Sequence, residues 1–277
     1  MSEALRATFR RVLRLENRRT IVRPGRIERM HGFPSKIFGN QREITIYLPA
    51  GYDEHPERRY PVLYLQDGQN LFDPERAYVP GNHWAVQDAA DAAIGERKAS
   101  PMIIVGVDHT GPGRIDEYTP GKDARHNGGG RADEYGRFLA EELKPAIDAR
   151  FRTLPDAPNT AIGGSSLGGL VSLHLAMTRR DLFGRAAVMS PSVWWAGRTV
   201  LKTVEEFDGN PPRLWLDIGG REGAEALTDA RALRDVIAKK RWGDDTFQYY
   251  EDRRGDHSER AWARRIGLVL EFLFPPA

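Results

Sequence analysis

The chain has 277 residues, 40% of them hydrophobic, with no cysteine and a formal net charge of +2, which suits one continuous core and gives no field that would gather a polyanion. Disulfide frameworks, thiolate metal sites and a cysteine nucleophile are excluded, and no stretch approaches the roughly 18 consecutive apolar residues of a membrane span. Arginine greatly outnumbers lysine but is interleaved with acids, the pattern of a solvated, ion-paired surface and not of a nucleic-acid stripe.

The opening MSEALRATFRRVLRLENRR has no apolar stretch like that of a secretory signal and reads as an edge strand or short helix, so a cytoplasmic location is expected. Residues 1–41 form an N-terminal extension with edge strands. At 42–48 the sequence alternates, with Ile44, Ile46 and Leu48 on one face of a strand. Runs at 60–66, 101–107 and 213–218 are denser, as in strands buried on both faces, and 159–164, 185–190 and 246–251 are further strands. Helical periods fall between them at 84–94, 134–149, 167–178, 224–240 and 259–272. Strands and helices alternating in this way predict an α/β fold with a mostly parallel sheet. No repeat or linker divides the chain, so a single domain over 1–277 is expected. The long irregular stretch at 108–132 is read as a substrate-side loop.

The segment TAIGGSSLGGLVSLHLAM contains G-x-S-x-G at Gly164, Ser165, Ser166, Leu167 and Gly168, between an apolar run and an amphipathic helix. That context is a nucleophile elbow, in which a sharp strand-to-helix turn presents a serine and small neighbours avoid backbone clashes. Ser166 occupies the central position; Ser165 is its rival. A serine hydroxyl needs a general base. Among seven histidines His257 stands out, because it follows a strand and precedes the last helix in the polar turn EDRRGDHSE. His174 lies within the helix after the elbow and reads as packed.

The chain order of such triads is serine, acid, histidine. RLWLDIGGREGAEA offers Asp217, pinned within a strand, and Glu222, in the Gly-rich loop and free to reach across the sheet edge; residue chemistry favours Glu222. The amide of Leu167 supplies one oxyanion donor. The turn in VLYLQDGQNLFDP, with Gly68 permitting an unusual backbone, makes the Gln69 amide the second.

With HGFPSKIFGNQREITIYLPAGY, YPVLYLQDGQNLFD, VGVDHTGPGRIDEYTP, GGSSLGGL, SPSVWW and GDHSE in view, the chain from about His31 onward resembles the putative-esterase family of α/β hydrolases, which includes esterase D and the enterochelin esterases. The resemblance implies the α/β-hydrolase fold, an acyl-enzyme on Ser166, His257 as base, an oxyanion amide at Gln69 and the acid three residues after Gly219, at Glu222. It further implies that Trp195 walls the pocket, or packs in the core, and that Arg114 anchors substrate, or pairs with Glu117. The reaction implied is hydrolysis of a small-molecule carboxylic ester, without metal or organic cofactor. Acyl transfer to an alcohol and a non-catalytic binding role on the same fold are the alternatives. Arg114, Arg125 and Arg131 suggest an anion-binding face suited to a catecholate siderophore lactone; an acyl ester of a carbohydrate is the other substrate class.

Overall fold

The computed structural model describes residues 24–276; the edge strand or short helix expected in the basic opening segment lies outside the described residues. The apolar runs stack side by side into one eight-stranded sheet: β1 (Arg26–Ser35), β2 (Asn40–Leu48), β3 (Val62–Gln66), β4 (Ile103–Val107), β5 (Thr160–Ser165), β6 (Arg185–Met189), β7 (Arg213–Gly219) and β8 (Phe247–Asp252). Their spatial order is β1-β2-β4-β3-β5-β6-β7-β8. β1 and β2 are antiparallel to their neighbours, and every pairing from β4 to β8 is parallel. The carboxyl ends of the parallel strands therefore share one edge, where open α/β sheets place their sites.

Helices cover both faces because the strands are apolar on both. On one side α1 (Val86–Gly95) and α6 (Glu259–Leu273) pack on Leu63, Leu65, Ile104 and Met189. The other side carries α2, which runs over 132–150 with a π-helical stretch at Phe138–Leu143, α3 (Leu167–Thr178), α4 (Trp195–Glu206) and α5 (Ala224–Lys239). Pro145, which has no N–H to donate, follows the π-helical stretch.

The strand read at 42–48 is present and is buried on both faces, since Tyr47, opposite Ile44 and Ile46, lies fully buried under α1. Three expectations need correction. Helix α3 is not amphipathic: every residue from 167 to 177 is buried, so it runs through the centre of its layer. Helix α4 has no counterpart in the sequence reading. It opens with Ala196, Gly197 and Arg198 all at positive φ, an irregular start that hides the helical spacing of Val200 and Val204. The stretch 108–132 is not irregular throughout, since it holds a one-turn helix, Arg114–Glu117, and a two-strand hairpin, Lys122–Asp123 with Gly128–Gly129.

Glu117 ties this stretch to the sheet. Its carboxylate takes two hydrogen bonds from Arg42 of β2, at 2.7 and 3.2 Å, with both side chains almost wholly buried. The guanidinium stacks 4.3 Å from the Phe138 ring centroid, so the cation has both a counter-ion and a π face. Removing one partner of such a pair strands a buried charge. Glu117→Ala should lower unfolding free energy in urea by about 3–5 kcal/mol, and the double change Arg42→Met with Glu117→Leu should lose less.

Candidate active site

The site begins where β5 stops. Ser166 is at φ 58°, ψ −122°, a region that non-glycine residues rarely enter. Its amide donates to the Met189 carbonyl at 3.0 Å, and its carbonyl accepts from Leu170 and Ser192, at 3.0 and 3.1 Å. The flanking glycines serve close approach and not unusual φ. A Cβ on Gly164 would lie 2.9 Å from the Gln66 Cβ, and one on Gly168 would lie 3.0 Å from the same atom. Ser166 directly precedes Leu167, the first residue of α3, so its hydroxyl stands at the positive end of that helix. The Oγ lies 3.3 Å from Ser192 Oγ.

His257 lies between β8 and α6, its ring 46% exposed, and its Nδ1 is 2.7 Å from Glu222 Oε2. Glu222 follows β7, and its other oxygen accepts from the Gly219 amide at 2.7 Å and the Ser190 hydroxyl at 2.6 Å. A Cβ on Gly219 would sit 2.7 Å from that oxygen, so the glycine before the acid makes room for it. Burial pushes the Glu222 carboxyl up, but hydrogen bonds from His257 and Ser190 and the facing imidazole outweigh it and hold the group below the usual carboxylate range.

Asp217, the alternative acid, is elsewhere engaged. It is fully buried, accepts from the Trp215 indole at 2.9 Å and lies 3.1 Å from Arg265. Burial pushes it up to about 6, against the pull of Arg265 and Trp215, while the nearby Glu222 adds to the rise. Glu222 is thus the carboxylate that meets the imidazole.

Ser166 and His257 border one cavity of about 460 Å³, with Asp67, Asn70, Arg114 and Glu259 as its polar lining and Tyr78, Trp84, Pro112, Ile115 and Trp262 among its apolar walls. Larger hollows of 680 and 730 Å³ lie against α2 and the hairpin and contain neither residue. Gln69 sits in a short 3-10 turn after β3. The left-handed residue there is Asp67, at φ 57°, and not Gly68. Gly68 is required by proximity, since a Cβ would meet the Gly106 carbonyl carbon at 2.6 Å.

Arg114 borders the cavity but does not pair with Glu117. Its guanidinium grips Asp67 through two hydrogen bonds, of 2.7 and 2.8 Å, because Glu117 is engaged by Arg42. Arg125 and Arg131 are likewise capped, by Asp123 and Glu134 respectively. The three arginines expected to form an anion-binding face do not meet at the cavity: Arg114 borders it, paired with Asp67, whereas Arg125 and Arg131 are exposed side chains that are not among its lining residues. Trp195 is 2% exposed, with its indole N–H on the Gly121 carbonyl at 2.7 Å and its ring against His126; it packs beneath the hairpin and is not among the cavity's lining residues. His174 is buried against Asp133, as read from the sequence.

Sequence reasoning missed Ser190, Ser192, Trp262 and Arg265. One signal for Arg265 was available: it is a charged residue on the apolar stripe of α6 that carries Trp262, Ile266 and Val269. Among the described residues no cluster of three or more acidic, histidine or cysteine side chains is arranged to hold a metal ion, and no helix is long and apolar enough to cross a membrane.

The strand order, with a strained serine turn at the carboxyl edge and helices on both faces, is the α/β-hydrolase fold. The chain belongs to the family described as putative esterase, whose model matches residues 35–269. Within that family it resembles proteins named as siderophore esterases, the enterochelin esterase-like type. It is 26% identical to the uncharacterized protein YjcH of Bacillus subtilis over 249 residues, 86% of this chain and 94% of that one. It is 31% identical to the ferri-bacillibactin esterase BesA of the same organism over 175 residues, 60% of this chain and 59% of that one. The crystal structure of the BES protein from Bacillus cereus superposes with a TM-score of 0.72 at 26% identity, over 92% of this chain and 96% of that one.

The two buried carboxylates have opposite pH signatures. Because folding raises the Asp217 carboxyl above its ordinary value, the folded state holds its proton longer, and this group's contribution to stability declines as pH rises from about 4 to about 6. The Glu222 contribution runs the other way, present above the usual carboxylate range and lost as pH falls below it. Asp217→Asn should therefore abolish a decline on the order of 1–3 kcal/mol across that window, read as the difference between wild-type and variant unfolding free energies at each pH.

Proposed function

We propose that the chain hydrolyses carboxylic esters through an acyl-enzyme on Ser166, with His257 as general base and Glu222 as the acid that orients it. The observation that carries this reading is the 2.7 Å contact between His257 Nδ1 and Glu222, made by a histidine that borders the same cavity as Ser166. A carboxylate on Nδ1 holds the proton there and leaves Nε2 as the basic nitrogen.

The Ser166 hydroxyl attacks the ester carbonyl as His257 Nε2 takes its proton. The oxyanion that forms accepts from the amides of Leu167 and Gln69, and the dipole of α3 favours the same charge. Collapse expels the alcohol, which leaves with the proton from His257. Water then attacks the acyl-enzyme, again giving its proton to His257, and the carboxylic acid departs as Ser166 recovers its hydrogen. No organic cofactor or metal enters any step.

For the substrate, the capped arginines take away the reason to favour an anionic siderophore lactone over an acyl ester of a carbohydrate. Trp84, Trp262, Tyr78 and Ile115 instead favour an ester whose acyl group is aromatic or apolar. Relatives named for ferri-bacillibactin and for feruloyl esters bracket this choice.

Turnover of p-nitrophenyl acetate should drop to background in Ser166→Ala, by roughly 10³-fold or more in His257→Ala, and by roughly 10–10⁴-fold in Glu222→Gln. A folded Ser166→Ala protein with wild-type kcat would refute the assignment.

A further inference from the structure

The Ser190 hydroxyl lies behind the candidate triad, out of reach of substrate, and has three partners. Trp262 Nε1 is 3.0 Å away, Arg265 Nη2 2.8 Å and Glu222 Oε1 2.6 Å. An indole N–H and a guanidinium N–H can only donate. They occupy the two acceptor positions of the hydroxyl, so its single hydrogen must go to Glu222. Glu222 Oε1 then receives two donors, Ser190 and the Gly219 amide, while Oε2 is left to His257.

The direction of these bonds is fixed by chemistry, without reference to hydrogen positions. It leads from an obligatory cation, Arg265, 1% exposed, through a neutral hydroxyl to the carboxylate that faces the imidazole. Arg265 also stands 3.1 Å from Asp217, 3.8 Å from Glu222 and 3.9 Å from Asp252, so it is the shared counter-ion of the acidic groups behind the site. The backbone has been shaped for the arrangement. Ser190 directly follows β6 at φ 42°, a left-handed position that suits glycine better, and its amide donates to the Asp217 carbonyl at 2.9 Å. What serine adds over glycine at this left-handed position, between a tryptophan, an arginine and a glutamate, is the hydroxyl that all three engage.

We propose that Ser190 is a positioning residue, which relays the hydrogen bonds of Trp262 and Arg265 onto Glu222 and so fixes the oxygen that Glu222 offers to His257. The proposal rests on the reading of Glu222 as the triad acid. It assigns Asp217 a different task, that of partner to Arg265, which explains why two carboxylates in one segment are not interchangeable. Without the Ser190 hydroxyl, Glu222 Oε1 keeps the Gly219 amide alone, and the Trp262 and Arg265 donors can turn toward the carboxylate directly and draw it away from the imidazole.

The test is a double-mutant cycle on p-nitrophenyl acetate hydrolysis with Ser190→Gly and Glu222→Gln. Glycine removes the hydroxyl and relieves the left-handed backbone, so a cooperative unfolding transition shows that the variant folds. Ser190→Gly should lower kcat roughly 10–100-fold with KM within about twofold, and in the Glu222→Gln background it should cost no more than about twofold further. A Ser190→Gly protein with wild-type kcat, or losses that multiply in the double variant, would overturn the proposal, because a residue acting through Glu222 has nothing to act on once that carboxylate is gone. Ser190→Cys, close in volume with a weaker donor, should lose kcat in the same direction; it carries the test if the glycine variant does not fold, and wild-type kcat there is equally fatal. A Glu222→Gln enzyme with wild-type kcat would remove the triad reading as well, whereas an impaired Glu222→Gln beside an unimpaired Ser190→Gly would remove this inference alone.

Discussion

The backbone of Ser166 is the constraint on which the rest depends. Holding a serine at φ 58°, ψ −122° costs about 1–3 kcal/mol, and such a conformation persists only where its surroundings leave no alternative. The surroundings here are unusually confining. Gly164 and Gly168 bring β5 and α3 within contact distance of Gln66, and the Ser166 amide is locked to Met189 on the neighbouring strand. Helix α3, buried on every side, cannot shift to release the turn. The rigidity of that helix is what converts packing in the core into a fixed position for one hydroxyl at the sheet edge.

A second consequence of burial is the division between two carboxylates. Asp217 and Glu222 lie in one short segment, and both approach Arg265, yet their protonation is pushed in opposite directions. Position decides it. Asp217 is within β7 and fully enclosed, so desolvation dominates. Glu222 lies beyond Gly219, on a loop that lets its carboxylate collect a backbone amide, a hydroxyl and an imidazole. Hydrogen bonds to the charged form then outweigh desolvation.

The parts of this molecule written in contiguous residues were legible from sequence. Strands announce themselves as apolar runs or, for β2, as alternation, so seven of the eight sheet strands were located individually, and the Gly-Gly-Ser-Ser-Leu-Gly-Gly turn and the polar turn at His257 were identified by what surrounds them. Glu222 was accessible because it sits in a short loop with Gly219, Gly220 and Gly223. What could not be read is pairing between distant segments. Nothing local to Arg114 reveals that Asp67 holds it or that Arg42 has already taken Glu117; those outcomes depend on competition among carboxylates brought together by the sheet. The same holds for Trp195, whose burial under the hairpin follows from Gly121 and His126, some 70 residues earlier in the chain. Helix α4 was obscured for a local reason, three left-handed residues where a regular first turn would begin.

Competition of this kind also shapes the cavity's chemistry. Arg114 sits on its wall, but burial and two hydrogen bonds commit its charge to Asp67, and Asp67 is itself the left-handed residue that starts the turn containing Gln69. The pair thus joins the first half of the 108–132 stretch to the loop after β3. Its value lies in geometry more than in attraction, since a bidentate pair presents little net charge to a ligand. His109 points the same way: burial pushes its imidazole down, toward the neutral form, on the same wall. On the reading proposed for Ser166, a wall whose arginine is already paired and whose aromatic faces are exposed to the cavity would select esters by the shape and apolar area of their acyl groups, and would leave the dipole of α3 as the field at the developing oxyanion.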